Sequence, residues 1–258
     1  MEERLTPNEQ MQVRFLLGIP FYDNFMKIHI VMHEGFESPA AIESWAKGKN
    51  FGISYTRQYI WDIFPEECDF DFLVIMGGPQ SPATTLEECP HYNAKKEIAF
   101  IKKNIDQNKI ILGVCLGAQL IGEALGAQFW HSPNREIGVF PITLTEEGKN
   151  DPIISNFPEK FPVGHWHGDM PGLTLEAKIL AVSDGCPRQI IRYAPKIYGF
   201  QCHLEFTPEA IEDMIENSSH ELEKYKNEPY IESAEQLRNH DYNEMNKLYF
   251  RFLDWLIW

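Results

Sequence analysis

Cys115 stands between two glycines in the run Gly113-Val114-Cys115-Leu116-Gly117-Ala118-Gln119, a spacing that suits a nucleophile presented on a sharp turn from strand to helix. Ile110, Ile111 and Leu112 precede it as a buried strand would. Residues 118–125 follow with apolar side chains at helical spacing, closed by Gly126. A turn that tight strains the backbone at the nucleophile, and glycines on either side let neighbouring chain come close. The first N–H groups of the helix then aim at the sulfur and, with the helix dipole, favour the reactive thiolate. Read alone, the same cysteine is equally a small buried hydrophobe at the end of an apolar strand. A cysteine nucleophile also needs a base and a group that orients the base. His203 and Glu205 are two residues apart in an extended stretch, 198–205, and share one face, although His-x-Glu by itself also describes an exposed strand. Upstream, the apolar strand over residues 72–76 runs into Gly77-Gly78-Pro79-Gln80-Ser81-Pro82. Such a loop serves either as a plain turn or as a source of backbone N–H groups for an oxyanion.

The elements that must position these residues alternate along the chain. Strands are expected over residues 27–32, 53–59, 72–76 and 109–114, with helices over 39–47 and 93–106 between them. Strands separated by helices of this length build a parallel sheet covered on both faces, and sites in such sheets form at the carboxyl ends of strands. Cysteine, Gly-Gly loop and histidine all fall at or near strand ends. Between residues 129 and 191 short strands and turns dominate, which predicts a small antiparallel extension of the sheet. Residues 208–258 are rich in helix formers and end in Leu248, Phe250, Phe252, Trp255, Leu256 and Trp258, read either as a helix docked on the core or as a contact surface for a second protein chain.

Taken in order, Gly-Gly-Pro, Gly-x-Cys-x-Gly and His-x-Glu resemble the class I glutamine amidotransferase family and its Cys-His-Glu triad. The resemblance runs from about Met26 to Glu209 and takes in Arg135-Glu136-Ile137-Gly138 and His165-Trp166-His167-Gly168-Asp169. It is strongest to free-standing proteins similar to the glutamine amidotransferase domain of GMP synthetase. Leu204 departs from the pattern, since many members have proline there. On a strand it faces away from both functional side chains, so little catalytic consequence is expected. The resemblance implies a flavodoxin-like α/β fold, with an N-terminal extension over residues 1–25 and a domain over 26–258 that includes the helical C-terminal segment. It also implies roles: Cys115 as nucleophile, His203 as acid and base, Glu205 as its orienter, and the backbone N–H groups of Gly78 and Leu116 as oxyanion donors. Gln119 and the backbone at Gly168 and Asp169 would hold the amino-acid end of glutamine. The expected reaction is release of ammonia from glutamine through a γ-glutamyl thioester, with no cofactor. Either a synthetase subunit in trans accepts the ammonia, or the chain is a stand-alone hydrolase. The alternatives are a γ-glutamyl peptidase and a catalytically idle regulatory or binding protein.

His165 and His167 put two imidazoles on one strand face, as a metal site would want, yet the sequence offers no evident third ligand, because Asp169 lies across a glycine. No metal is therefore expected. A net charge of −15 without a basic stripe argues against nucleic acid. The chain has no apolar run of bilayer length and no signal-peptide pattern, and its five cysteines lack metal-like Cys-x-x-Cys spacing. These features lead to the expectation of a cytoplasmic protein acting on a small molecule, with no membrane partner.

Overall fold

A computed structural model describes residues 26–258. The extension expected over residues 1–25 lies outside the described residues. β1 (Lys27–Met32), α1 (Ala40–Gly48), β2 (Gly52–Arg57), β3 (Phe72–Ile75), α2 (Ala94–Asp106), β4 (Ile110–Val114) and α3 (Leu116–Ala124) alternate as the pattern predicts. Then come β5 (Trp130–Leu144), a one-turn α4 (Glu146–Lys149), β6 (Lys160–Met170), β7 (Lys178–Val182), β8 (Ile190–Ala194) and β9 (Ile197–Phe200). The chain closes with α5 (Pro208–Tyr225), α6 (Ala234–Arg238) and α7 (Asn243–Leu256). The strands form one sheet in the order β2-β1-β3-β4-β9-β8-β7-β5-β6. The first five of these pair in parallel, and from β9 onward every pairing is antiparallel.

Alternation along the central strands explains why helices cover both faces. On β3, Phe72 and Val74 join the core that α1 and α7 close through Ile42, Trp45, Tyr249 and Phe252. Leu73 and Ile75 point the other way, into the core built with Phe100 and Ile101 of α2 and Leu120 and Ile121 of α3. Asn93 caps α2 by accepting the Lys96 N–H at 3.0 Å. Of the aromatic-rich C-terminal ending, Phe252 and Leu256 are buried together with Tyr249 and Leu253, Leu248, Phe250 and Trp255 pack half-buried against the core, and Trp258 is exposed; Trp45 of α1 donates to Asp254 at 2.8 Å. Among the described residues no helix is long and apolar enough to cross a membrane.

Three expectations need correction. The strand expected over residues 53–59 stops at Arg57, because Gln58 turns inward to donate to buried Glu97 at 2.8 Å and the chain coils into a short 3-10 turn. The antiparallel part is only partly made of short strands: β7 and β8 have five residues each, but β5 runs for 15 and β6 for 11, a length masked by polar residues and by a register shift between His131 and Glu136. The stretch 198–205 is not one strand. β9 ends at Phe200, whose carbonyl accepts the Cys115 N–H at 2.7 Å. There β4 gives way to the turn at Cys115 and offers no further ladder, so the chain crosses to β6 and makes a two-bond bridge between His203 and Gly164.

Candidate active site

The backbone at Cys115 is the most constrained point of the site. Its φ of 51° and ψ of −109° lie where a side chain is strained, and the residue connects β4 directly to the first residue of α3. Both flanking glycines are obligatory. A Cβ at Gly113 would sit 2.4 Å from the Gly117 backbone, and one at Gly117 would sit 2.1 Å from the Ile75 carbonyl oxygen. This close approach locks the cysteine turn against the strand that leads into the Gly-Gly loop. α3 starts at Leu116, two residues earlier than the apolar periodicity suggests, and the Leu116 backbone N–H is among the groups that pull the Cys115 pKa down.

The loop carrying Gly77 and Gly78 is held from behind. Buried His33, just past β1, donates from Nδ1 to the Gly77 carbonyl at 2.8 Å, while its Nε2 lies 3.0 Å from both oxygens of Glu97. Burial disfavours the charged ring, but Glu97 outweighs it and raises the His33 pKa, so both ring nitrogens can donate. Because the peptide is planar and trans, tying the Gly77 carbonyl to His33 turns the Gly78 N–H to the opposite side. Gly78 lines the pocket with Cys115 and lies against the Leu116 side chain.

His203 Nδ1 lies 2.6 Å from Glu205 Oε1, and both residues are buried. The imidazole stacks on Phe206 with centroids 4.2 Å apart. Its other nitrogen, Nε2, has no hydrogen-bond partner among the described residues, and the Cys115 sulfur is its neighbour. Burial opposes charge on this ring, yet Glu205 and the cysteine sulfur carry its pKa up to about 10. Burial likewise pushes the Cys115 thiol up, while His203 and the Leu116 N–H pull it down. The segment bearing the pair is fixed from outside the sheet. The Ala41 N–H donates to the Glu205 carbonyl at 3.1 Å, and Asn246 of α7 donates to the carbonyls of Leu204 and Phe206 at 2.7 and 3.0 Å.

In front of Cys115 a cavity of about 170 Å³ brings together Gly78, Gln119, Gly168 and Asp169. Gln119 is buried and spends its amide N–H on Gln201 at 3.1 Å, and Gln201 in turn donates to the Cys115 sulfur at 3.3 Å. The Asp169 carboxylate pairs with His131 at 2.6 Å, and the residue lines the cavity. α5 roofs the pocket through Met214, Ser218 and Glu221. Glu221 accepts from Arg135 at 2.5 Å and from the Trp166 indole at 2.9 Å, and the Arg135 guanidinium lies over the Tyr225 ring. A Cβ at Gly168 would stand 2.6 Å from the Arg135 guanidinium, which would have to shift. Glu37 reaches the same pocket from the end of β1; burial raises its carboxyl to about 7 despite His203 and His33 nearby.

Residues 30–222 match the glutamine amidotransferase class-I family. The chain belongs to that family. Among its class-I relatives, the glutamine amidotransferase-like protein YfeJ of Salmonella typhimurium is 48% identical over 230 residues, covering 89% of this chain and 96% of YfeJ. Anthranilate synthase component 2 of Helicobacter pylori is 30% identical over 149 residues, 57% of this chain and 70% of its own. The crystal structure of SMU.1228c matches with a TM-score of 0.88 at 48% identity, covering 90% of this chain and all of that one (100%).

Several residues of this class-I amidotransferase site escaped the sequence reading. Glu37, Asn246 and Glu221 reach it from elements remote in the chain, and no local spacing marks them. Gln201 stands two residues before His203 and was legible only as part of a strand. Glu136 was quoted within Arg135-Glu136-Ile137-Gly138, yet nothing in the sequence pairs it with His165 and His167. The structure does: His167 lies directly opposite Glu136 in the β5–β6 register, and Glu136, His165 and His167 form a buried cluster. The third carboxylate-type neighbour missing from the sequence reading is therefore present. Burial lowers His165 to about 3, so its ring is neutral.

Proposed function

We propose that this chain hydrolyses the side-chain amide of glutamine through a γ-glutamyl thioester on Cys115. The observation that carries the reading is the buried His203–Glu205 pair at 2.6 Å, with its open nitrogen beside a cysteine held at φ 51° on a helix N-terminus. The thiolate attacks the amide carbonyl, and the oxyanion that develops meets the N–H groups of Gly78 and Leu116. Donors of this kind are worth roughly 3 kcal/mol of barrier each. The His203 imidazolium gives its proton to the departing ammonia. The neutral ring then takes a proton from water, which cleaves the thioester and frees glutamate, with proton transfer contributing about 10²–10⁴ in rate. Glu205 keeps the ring oriented and supports its charge. Gln119 and the backbone at Gly168 and Asp169 hold the amino-acid end of the substrate.

Ammonia made here would pass to a synthetase partner bound in trans, by analogy with the anthranilate synthase component 2 relative. A second reading, hydrolysis of γ-glutamyl peptides, is favoured by the arrangement at the pocket rim. Arg135 and Glu221 lie there only partly buried and offer a cation and an anion to a leaving group that is itself an amino acid. Incubation with 6-diazo-5-oxo-norleucine followed by mass spectrometry tests the shared chemistry: a covalent adduct on Cys115 is expected, and none in Cys115→Ala. No adduct, or one elsewhere, refutes the assignment. Comparing kcat/KM for glutamine and glutathione separates the two substrates; a preference for glutathione above about tenfold, roughly 1.4 kcal/mol, assigns peptidase activity.

A further inference from the structure

Beside the pocket, where β5 pairs with β6, a group of buried polar side chains takes no part in the thioester chemistry. Glu136 and His165 are completely buried and His167 is 4% exposed. His167 Nε2 lies 3.2 Å from Glu136 Oε2, and His165 Nδ1 lies 3.7 Å from the same oxygen. Gln189 packs on this group, its amide 2.7 Å from Glu136 Oε2 and 3.3 Å from His167 Nε2, and Ser183 donates to Glu136 at 2.9 Å. The loop that brings Ser183 and Gln189 here fits because Gly185 has no Cβ; one would stand 2.6 Å from the Glu136 carboxyl.

The imbalance of donors and acceptors is what points to a ligand. His165 Nε2 faces the Phe140 carbonyl at 3.2 Å and must carry the ring proton there, which leaves Nδ1 as a bare lone pair turned toward a carboxylate. Fixing one imidazole nitrogen on a backbone carbonyl is also how ligating histidines are oriented. Glu136 Oε1, His165 Nδ1, His167 Nδ1 and Gln189 Oε1 are all buried without a partner among the described residues. Unsatisfied polar atoms in a dry site are costly, and the atoms that converge on one point are His165 Nδ1, His167 Nε2 and the Glu136 carboxylate, with the Gln189 amide beside them. A cation among them relieves the repulsion at once. Ligand atoms on one tetrahedral ion with bonds near 2.0–2.1 Å stand about 3.3 Å apart, close to the separations seen here. Two imidazoles and a carboxylate suit zinc-class transition ions rather than magnesium or calcium.

We propose that Glu136, His165 and His167 hold one divalent transition-metal ion, with Gln189 Oε1 as fourth donor once its amide is turned. The ion is structural. It ties β5 to β6 one residue before Gly168 and clamps the loop around Gly185; His167 also lines the pocket in front of Cys115, but the ion needs none of the chemistry there and does not depend on the proposed activity. Its existence departs from the sequence expectation, which lacked Glu136.

The test strips the full-length chain with a chelator and titrates it with Co²⁺ under reducing conditions. The expected result is uptake of about one equivalent, visible ligand-field absorption of nitrogen and oxygen ligands without a thiolate charge-transfer band, and a higher Tm. Glu136→Gln and His165→Phe should each bind less than a tenth as much. Cys115→Ala should bind fully, as should Cys89→Ala, which breaks a second His/Cys/Glu group formed by Glu34, Cys89 and His91. Should a cluster variant lose the wild-type circular dichroism, the wild-type cobalt spectrum decides alone. A thiolate band puts the ion on a cysteine and overturns the proposal. Uptake below about a tenth of an equivalent overturns it, as does undiminished uptake by folded Glu136→Gln.

Discussion

Replacing Gly117 by alanine probes the architecture that aims Cys115. An added Cβ would lie 2.1 Å from the Ile75 carbonyl oxygen, 2.7 Å from its carbon and 2.9 Å from the Ile75 Cβ, where real contacts almost never fall below 3.0 Å. α3 must therefore retreat from β3 by roughly 1 Å, since the obstacle is backbone and cannot swing aside. Overpacking of this kind costs about 1–3 kcal/mol, and a rigid obstacle puts it near 3. The better helix propensity of alanine returns about 1, leaving a net loss of about 2 kcal/mol. For a chain of this size that is a fall in Tm of about 4–8 °C. The same retreat shifts Leu116, so if Leu116 and Gly78 are oxyanion donors as proposed, kcat should fall about 10²-fold. Gly48→Ala is the control: it ends α1 with nothing within 4 Å of the new Cβ and should hold or raise stability. Urea unfolding of the two variants and the wild type, read as midpoint and slope, supplies the comparison. Gly117→Ala within about 0.5 kcal/mol of wild type would refute the claim that the turn is locked by this contact.

Other outcomes follow from the charges and anchors of the site. Glu205→Gln removes the main support of the His203 imidazolium, so alkylation of Cys115 by iodoacetamide at pH 7 should slow by one to two orders of magnitude; an unchanged rate would deny Glu205 its electrostatic role. The raised His203 pKa has a defined sign in stability. The imidazolium stabilises the fold fully below its ordinary value of 6.5, and that contribution is lost as pH rises toward about 10, so the Tm gap between wild type and Glu205→Gln should narrow across that window. Glu37 ionises near pH 7 and then opposes the thiolate; Glu37→Gln should speed alkylation at pH 8 several-fold and have little effect at pH 6. Asn246→Ala leaves the carbonyls of Leu204 and Phe206 without their donor; a loss of about 1–2 kcal/mol in urea unfolding and a kcat reduced more than KM is changed are expected.

How much of this was legible depends on distance along the chain. Cys115 could be read because a strand-to-helix turn imposes glycines within two residues on either side, and His203 with Glu205 because a base and its orienter sit two apart. The alternating elements up to α3 were legible because β3 and β4 are apolar on both faces and β1 nearly so, whereas β2, the polar edge strand, was the one whose end was misplaced. β5 and β6 were not, since long antiparallel strands with one polar side and a register shift lose the clean alternation that marks a strand. Glu37, Glu136, Glu221 and Asn246 are single polar residues whose meaning comes only from what folds against them.

The hold of α7 on the segment 203–206 has a consequence for the order in which the molecule becomes reactive. Leu204 and Asn246 are 42 residues apart, and a ribosome adding about 5–20 residues per second takes roughly 2–8 s to cover that distance. During that interval the nascent sheet can already bend Cys115 into its strained turn, while the stretch bearing His203 has its bonds to Gly164 and Ala41 but not yet those of Asn246. The thiol would then stand beside an imidazole whose segment is only partly fixed. Docking of the last helix thus acts as a safety catch, released only once the core that shelters the sulfur has closed.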